Sequence, residues 1–139
     1  RASGMFGKVV VAVLVNSSKT PTFSTEERIE LLTEAVSGLP NVEIVSFEGL
    51  LAEYCKTCGI DTIVKGLRAV SDFEYEFQMA LTNKKLNPNV ETLFLTTSAQ
   101  NMYLSSSMVK QIASMGGDIT DFVPPVIKQD IIDRIGTNK

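Results

Sequence analysis

Apolar and polar positions change period several times along the chain, and each change marks an element. Seven apolar residues in a row, Val9-Val10-Val11-Ala12-Val13-Leu14-Val15, follow Lys8. A β-branched run apolar on both faces predicts a central strand of a parallel sheet, with neighbours on both edges. A polar loop over 16–23 holds Lys19 and Pro21. Ser24 and Glu27 then have the spacing of a capping box, with Ile29, Leu32 and Val36 behind them at helical period. A short strand is predicted over 42–46, a helix over 48–58 and a third strand over 61–64. Lys65-Gly66-Leu67-Arg68 reads as a tight turn carrying two cations. Ser71 and Glu74 repeat the capping-box spacing and place a helix start at Asp72. Phe73, Phe77, Ala80 and Leu81 form its apolar stripe, and Glu76, Met79 and Asn83 share another face.

That helix runs to about Leu86, ahead of Pro88, and a fourth strand covers 91–96. A polar loop over 97–104 leads to Ser105-Ser106-Ser107 at the head of a further helix. Met108, Val109, Ile112 and Met115 supply that helix's buried side, and Gly116-Gly117 stops it. Pro124-Pro125 opens a last helix with Ile127, Ile131 and Ile135 as its stripe. Residues 1–6 read as the tail of a helix whose start is missing. Strands alternating with helices predict an α/β fold: a Rossmann-like, doubly wound parallel sheet, as a single domain over 1–139.

In such sheets ligands bind beyond the carboxyl ends of the strands. The loops leaving those ends hold Lys19, then Leu50 and Leu51, then Lys65 and Arg68, then the three serines. Three cations and one serine-rich helix start on one rim predict a site for a phosphate compound, most economically a nucleotide. Each feature also has a plainer reading. Lys65 and Arg68 could be surface cations on a solvated turn, and Lys19 a surface lysine. One serine suffices as a helix cap. Glu76 could bind ribose hydroxyls or be an exposed carboxylate; Tyr75 and Tyr103 could flank a base or simply pack.

Composition narrows the field. The chain has 139 residues, 44% hydrophobic and 21% charged, with a formal charge of −3. A broad nucleic-acid surface does not fit that balance, so any basic site is local. No apolar run reaches a membrane span and no signal peptide is visible, which predicts a cytoplasmic protein without membrane partners. Cys55 and Cys58 form a C-x-x-C, but there is no second pair and no histidine to complete a zinc site. Leu51, Tyr54, Cys55 and Cys58 share one helical stripe, so buried structural cysteines are expected and no metal ligands are assigned. A thiol redox pair is the weaker alternative, because this motif falls near a helix C-terminus. The phosphate-loop and dinucleotide fingerprints are both absent from the sequence.

Three blocks then stand in order: Ser18-Lys19-Thr20-Pro21-Thr22-Phe23-Ser24-Thr25-Glu26-Glu27-Arg28, Lys65-Gly66-Leu67-Arg68 through Asp72-Phe73-Glu74-Tyr75-Glu76, and Leu104-Ser105-Ser106-Ser107-Met108-Val109-Lys110. In these the chain resembles the phosphopantetheine adenylyltransferase family of the nucleotidyltransferase superfamily, along its whole length. The resemblance implies transfer of the adenylyl group of ATP to 4′-phosphopantetheine with Mg²⁺, giving dephospho-coenzyme A and pyrophosphate. It implies that Lys19, Leu51, Lys65 and Asn83 hold phosphopantetheine. Gly66, Leu67, Arg68, Glu76, Asn101, Met102, Tyr103, Leu104, Ser105, Ser106 and Ser107 would hold ATP. Lys19 and Arg68 would stabilise charge in the transition state. A homohexamer and feedback by coenzyme A are implied by the same route.

The chain departs from the family pattern at several places. Lys65 stands where many relatives carry Arg, Gln111 where Glu is frequent, and Leu104 where Ile is common. The family's first strand and its [HT]-x-G-H motif, whose last His stabilises the transition state, have no counterpart in these residues. We therefore expect a longer parent that carries them. The alternative is a non-catalytic nucleotide-binding module.

Overall fold

The computed structural model describes residues 1–15 and 21–136, apart from the side chains of Val70 and Ser71. Its strands and helices alternate: β1 Val9–Val15, α1 Thr25–Ala35, β2 Val42–Glu48, α2 Leu51–Cys58, β3 Thr62–Leu67, α3 Val70–Leu86, β4 Glu91–Thr96, α4 Ser106–Ser114 and α5 Lys128–Gly136. The predicted α/β order is met in sequence. Among the described residues the strands ladder as two pairs, β1 with β2 and β3 with β4, where one continuous sheet was expected. The chain divides into two compact units, Glu48–Tyr103 and Arg1–Phe47 with Leu104–Lys139.

In the unit 48–103, β3 and β4 run parallel, in register from Thr62 opposite Glu91 to Leu67 opposite Thr96. Ile63, Cys55 and Val90 are its buried centre, with Leu51 and Ile60 packed against them. Strand β3 is longer than the alternation of apolar residues suggested. The ladder holds through Gly66 opposite Leu95, so Lys65 and Gly66 belong to the strand and not to a turn. Helix α3 also starts earlier than the Ser71–Glu74 spacing predicted. Ala69 is extended at φ −147° and ψ 169°, and its carbonyl accepts from the amides of Asp72 and Phe73 at 3.1 and 3.3 Å. The first turn is closed by backbone alone, without a side-chain cap.

Two expectations about burial are corrected. Cys55 is buried, but Cys58 is exposed. Gly59 adopts a left-handed conformation at φ 66° and turns the chain back, so that Ile60, whose amide donates to the Cys55 carbonyl at 2.8 Å, takes the place against the core that Cys58 would have filled. Phe73, Phe77 and Leu81 form a stripe as expected, but all three are exposed, Leu81 by 56%. Phe73 stacks on Phe77 and meets Phe94 of β4 edge-on, at 5.5 and 6.1 Å between ring centres.

In the other unit the predicted capping box is present. The Ser24 hydroxyl accepts from the Glu27 amide at 3.2 Å, and the Glu27 carboxylate accepts from the Ser24 amide at 2.7 Å. Arg134 of α5 ties this corner. It pairs with Glu27, donates to the Thr22 carbonyl at 3.0 Å and lies 4.9 Å over the Phe23 ring. Strand β1 is less covered than its seven apolar residues predicted: Val13 is buried, while Ala12 and Leu14 are exposed. Ile119 and Val109 complete the buried set around α4. The Gly116-Gly117 stop is obligatory: Gly116 sits at φ 76°, and a Cβ on Gly117 would lie 2.7 Å from the Ile112 side chain.

Two expected outcomes follow from this packing. The Arg134 hydrogen bond, aided by the Ser24 amide, holds the Glu27 carboxyl below its ordinary range. A folded-state value below the unfolded one stabilises the fold above the usual glutamate range, and that stabilisation is lost as pH falls through the lowered value. The stability gap between wild type and Glu27→Gln, from urea midpoints at several pH values, should thus be widest near neutrality and close on acidification. A pH-independent gap would contradict this account. Burial raises the Cys55 thiol pKa, with the neighbouring Cys58 adding to the rise. Thiol titration of native protein should therefore find one fast-reacting group, and two after denaturation.

Candidate functional site

The site residues predicted from the sequence fall on both units. Lys19 lies outside the described residues. In the unit 48–103, β3 delivers two cations toward the helix that follows it. Strand alternation puts Ile63, Lys65 and Leu67 on one face, the face on which Ile63 packs into the core beside α2. Lys65 Nζ meets Glu76 Oε2 at 3.3 Å, with the two side chains 37% and 21% exposed. Arg68, one residue past the strand, donates from Nε to Asp72 Oδ2 at 3.0 Å and from Nη2 to Oδ1 at 3.4 Å. Asp72 and Glu76 are four apart on α3, so one stripe of that helix receives both cations.

Two predicted ligands from different groups, Lys65 for phosphopantetheine and Glu76 for ATP, are thus brought together. Glu76 is neither an isolated surface carboxylate nor fully satisfied. Its Oε2 is buried and has no partner in hydrogen-bond geometry among the described residues, despite the ion pair. An oxygen shielded from water without a proton donor is unfavourable, so a hydroxyl-bearing ligand would be welcome there. Asp72 is the residue that sequence reasoning missed as a contributor. Its signal was present, because an acid four residues after an arginine at a helix start is placed to pair with it.

Other predicted residues of this unit play mainly structural parts in the structure. Leu51 opens α2 and packs on the Cys55–Ile63–Val90 cluster. Asn83 is buried, and its carbonyl accepts from the Asn87 amide at 2.8 Å where α3 ends. Asn101, the last residue of the short turn Ala99–Asn101, is exposed, as are Met102 and Tyr103 after it. Gly66 differs from all of them. Its backbone is not in the left-handed region, and a Cβ built on it would meet nothing within 4 Å. Neither turn geometry nor packing demands a glycine there. The open space there leaves room for a close approach to the backbone.

In the other unit Ser105 caps α4, its hydroxyl accepting from the Met108 amide at 3.2 Å, and Ser107 Oγ lies 3.4 Å from Ser105 Oγ. One serine does the capping, and Ser106 and Ser107 are exposed beside the free first-turn amides. The same unit has a cleft of about 470 Å³ between α1 and α5, lined by Glu27, Glu30, Glu34, Asp130, Asp133 and Arg134 among others. Five carboxylates against one arginine make it a poor host for a polyphosphate, and none of the predicted site residues lines it.

Paired cations at the carboxyl end of a parallel ladder, in one unit, and a serine-capped helix start, in the other, are features found in nucleotide-binding α/β proteins. Residues 1–112 match the family model described as cytidylyltransferase-like, which places the chain among the nucleotidyltransferases. It is 55% identical over 134 residues to the phosphopantetheine adenylyltransferase of Caldanaerobacter subterraneus subsp. tengcongensis and 58% identical over 134 residues to that of Clostridium tetani, each time over 96% of this chain and 84% of the relative. The corresponding protein of Heliobacterium modesticaldum is 49% identical over 98% of this chain and 81% of its own length. The chain belongs to the phosphopantetheine adenylyltransferase family.

Because no described atom lies within 4 Å of a Cβ built at Gly66, the variant Gly66→Ala should fold with its stability unchanged or raised by up to about 1 kcal/mol. A urea titration checks this; a clear loss of stability would mean that the position is constrained by the fold.

Proposed function

We infer that the protein transfers the adenylyl group of ATP to 4′-phosphopantetheine, giving dephospho-coenzyme A and pyrophosphate in coenzyme A biosynthesis. Family membership over almost the whole chain carries this reading. A phosphate oxygen of phosphopantetheine would attack the α-phosphorus of ATP as the bond to the β-phosphate oxygen breaks, and pyrophosphate would leave with that electron pair. Such a transfer requires positioning and charge stabilisation more than covalent help from the protein.

The residue roles follow on that reading. Lys19, Leu51, Lys65 and Asn83 hold phosphopantetheine. Gly66, Leu67, Arg68 and Glu76 hold ATP, together with Asn101, Met102, Tyr103, Leu104, Ser105, Ser106 and Ser107. Three observations support the ATP half: the open space at Gly66, the unsatisfied Glu76 oxygen, and the capped start of α4 with its amides. Lys65 and Arg68 supply positive charge where the phosphates meet, and Lys19 joins them in the transition state. Mg²⁺ enters with ATP, as part of the substrate, since this ion is held largely by phosphate oxygens and water.

The exposed Phe73, Phe77 and Leu81 on α3 support assembly into a homohexamer, since apolar side chains on a small protein are stabilised by cover. Coenzyme A is the proposed feedback inhibitor, because it shares the pantetheine arm of the product. A cytoplasmic location goes with the proposed role in coenzyme A biosynthesis; among the described residues no helix is long and apolar enough to cross a membrane. A non-catalytic module is not favoured, because the relatives carry the name of an enzyme.

The test is pyrophosphate release on mixing protein, ATP, Mg²⁺ and 4′-phosphopantetheine. Release that needs both substrates is expected. ATP binding without release would move the binding-module reading to the front. Arg68→Ala should lower kcat by about 10²–10³-fold, the range for loss of one preorganised charge-stabilising donor. Gly66→Ala, though folded, should lose affinity for ATP.

A further inference from the structure

We propose that Asp72 is a positioning residue for Arg68, fixing its guanidinium for the nucleotide phosphates; this rests on reading residues 66–68 as part of the ATP site. Both ends of the contact are anchored. On one side Arg68 follows the last ladder pair, Leu67 opposite Thr96, and the Thr97 amide donates to the Leu67 carbonyl at 2.9 Å. On the other, the Asp72 amide is bonded to the Ala69 carbonyl at 3.1 Å in the first turn of α3. The carboxylate takes the side edge of the guanidinium through Nε and Nη2, at 3.0 and 3.4 Å. A guanidinium has five N–H groups on separate edges, so it can serve a carboxylate and a phosphate at once.

A purely stabilising role explains little of this geometry. The two side chains are 44% and 30% exposed, and exposed ion pairs contribute little to folding. A carboxylate in the first turn also interacts well with the helix dipole, but that needs no two-point grip on an arginine. What the grip changes is freedom. A long, flexible cation held in one orientation before the ligand arrives has less rotamer entropy to lose on binding. One turn further along α3, Glu76 meets Lys65 through a single ion-pair contact at 3.3 Å, a looser hold than the grip of Asp72 on Arg68.

The test measures Kd values for MgATP and for 4′-phosphopantetheine by calorimetry, in wild type, Asp72→Ala, Asp72→Asn and Asp72→Glu. Asp72→Ala should weaken ATP about two- to tenfold, the range for immobilising one rotamer-rich side chain, and change phosphopantetheine less. Asp72→Asn, which keeps the volume and one acceptor, should fall between Ala and wild type, and Asp72→Glu should recover part of the loss. Unchanged or tighter ATP binding in both Asp72→Ala and Asp72→Asn would overturn the proposal. So would equal weakening of both ligands, which marks a structural role. Wild-type protein that binds no ATP would overturn the reading of the site itself, and the Asp72 role with it. If Asp72→Ala does not fold, Asp72→Asn decides.

Discussion

A cation at the end of a parallel strand needs a counter-charge before its ligand arrives, and here the helix fed by that strand supplies it. The register of β3 and β4 fixes which side chains face α3, and the first two turns of α3 present Asp72 and Glu76 to receive Lys65 and Arg68. Slipping that ladder by one residue would turn Lys65 away from α3 and carry Ile63 out of the core with it. The buried trio Cys55, Ile63 and Val90 opposes such a slip, so ordinary core packing positions the charged groups.

The pairing also bears on the chemistry. An ion pair in the ligand-free protein keeps two positive charges from repelling each other across a short stretch of backbone. The same carboxylates reduce the positive potential felt by an approaching polyphosphate. Glu76 answers this partly through its shielded, unsatisfied oxygen, which is better suited to a hydroxyl than to a second anion. Arg68 answers it through the separate edges of its guanidinium. Lysine at position 65 has no second planar edge, so on the proposed reading its one ammonium group would serve both Glu76 and a phosphate.

The alternation of strands and helices was legible in the sequence because apolar runs and capping spacings are local signals. Ser24 with Glu27 closed the box that their spacing implied. Ser71 with Glu74 has the same spacing, but the Ala69 carbonyl already closes the first turn of α3 from the backbone. Gly66 suggested a turn because glycine usually marks one; the ladder with Leu95 overrode that local preference. Cys58 lies on the same helical stripe as Cys55, but stripe position cannot show that the chain reverses one residue later and puts Ile60 on the core. For the site, residue types and their positions at strand ends were readable. Which cation meets which carboxylate depended on register, which no single segment contains.

Arg134 holds Glu27, Thr22 and Phe23 from the far end of the chain. That grip gives the two units different histories during synthesis. The unit 48–103 is one continuous stretch, so its ladder and core can close as soon as that stretch has left the ribosome. The other is made from both flanks, and its fastening arrives with the last helix. Until α5 is made, the capped start of α1 lacks the arginine that ties it, a contact that spans 107 residues of chain and so closes late.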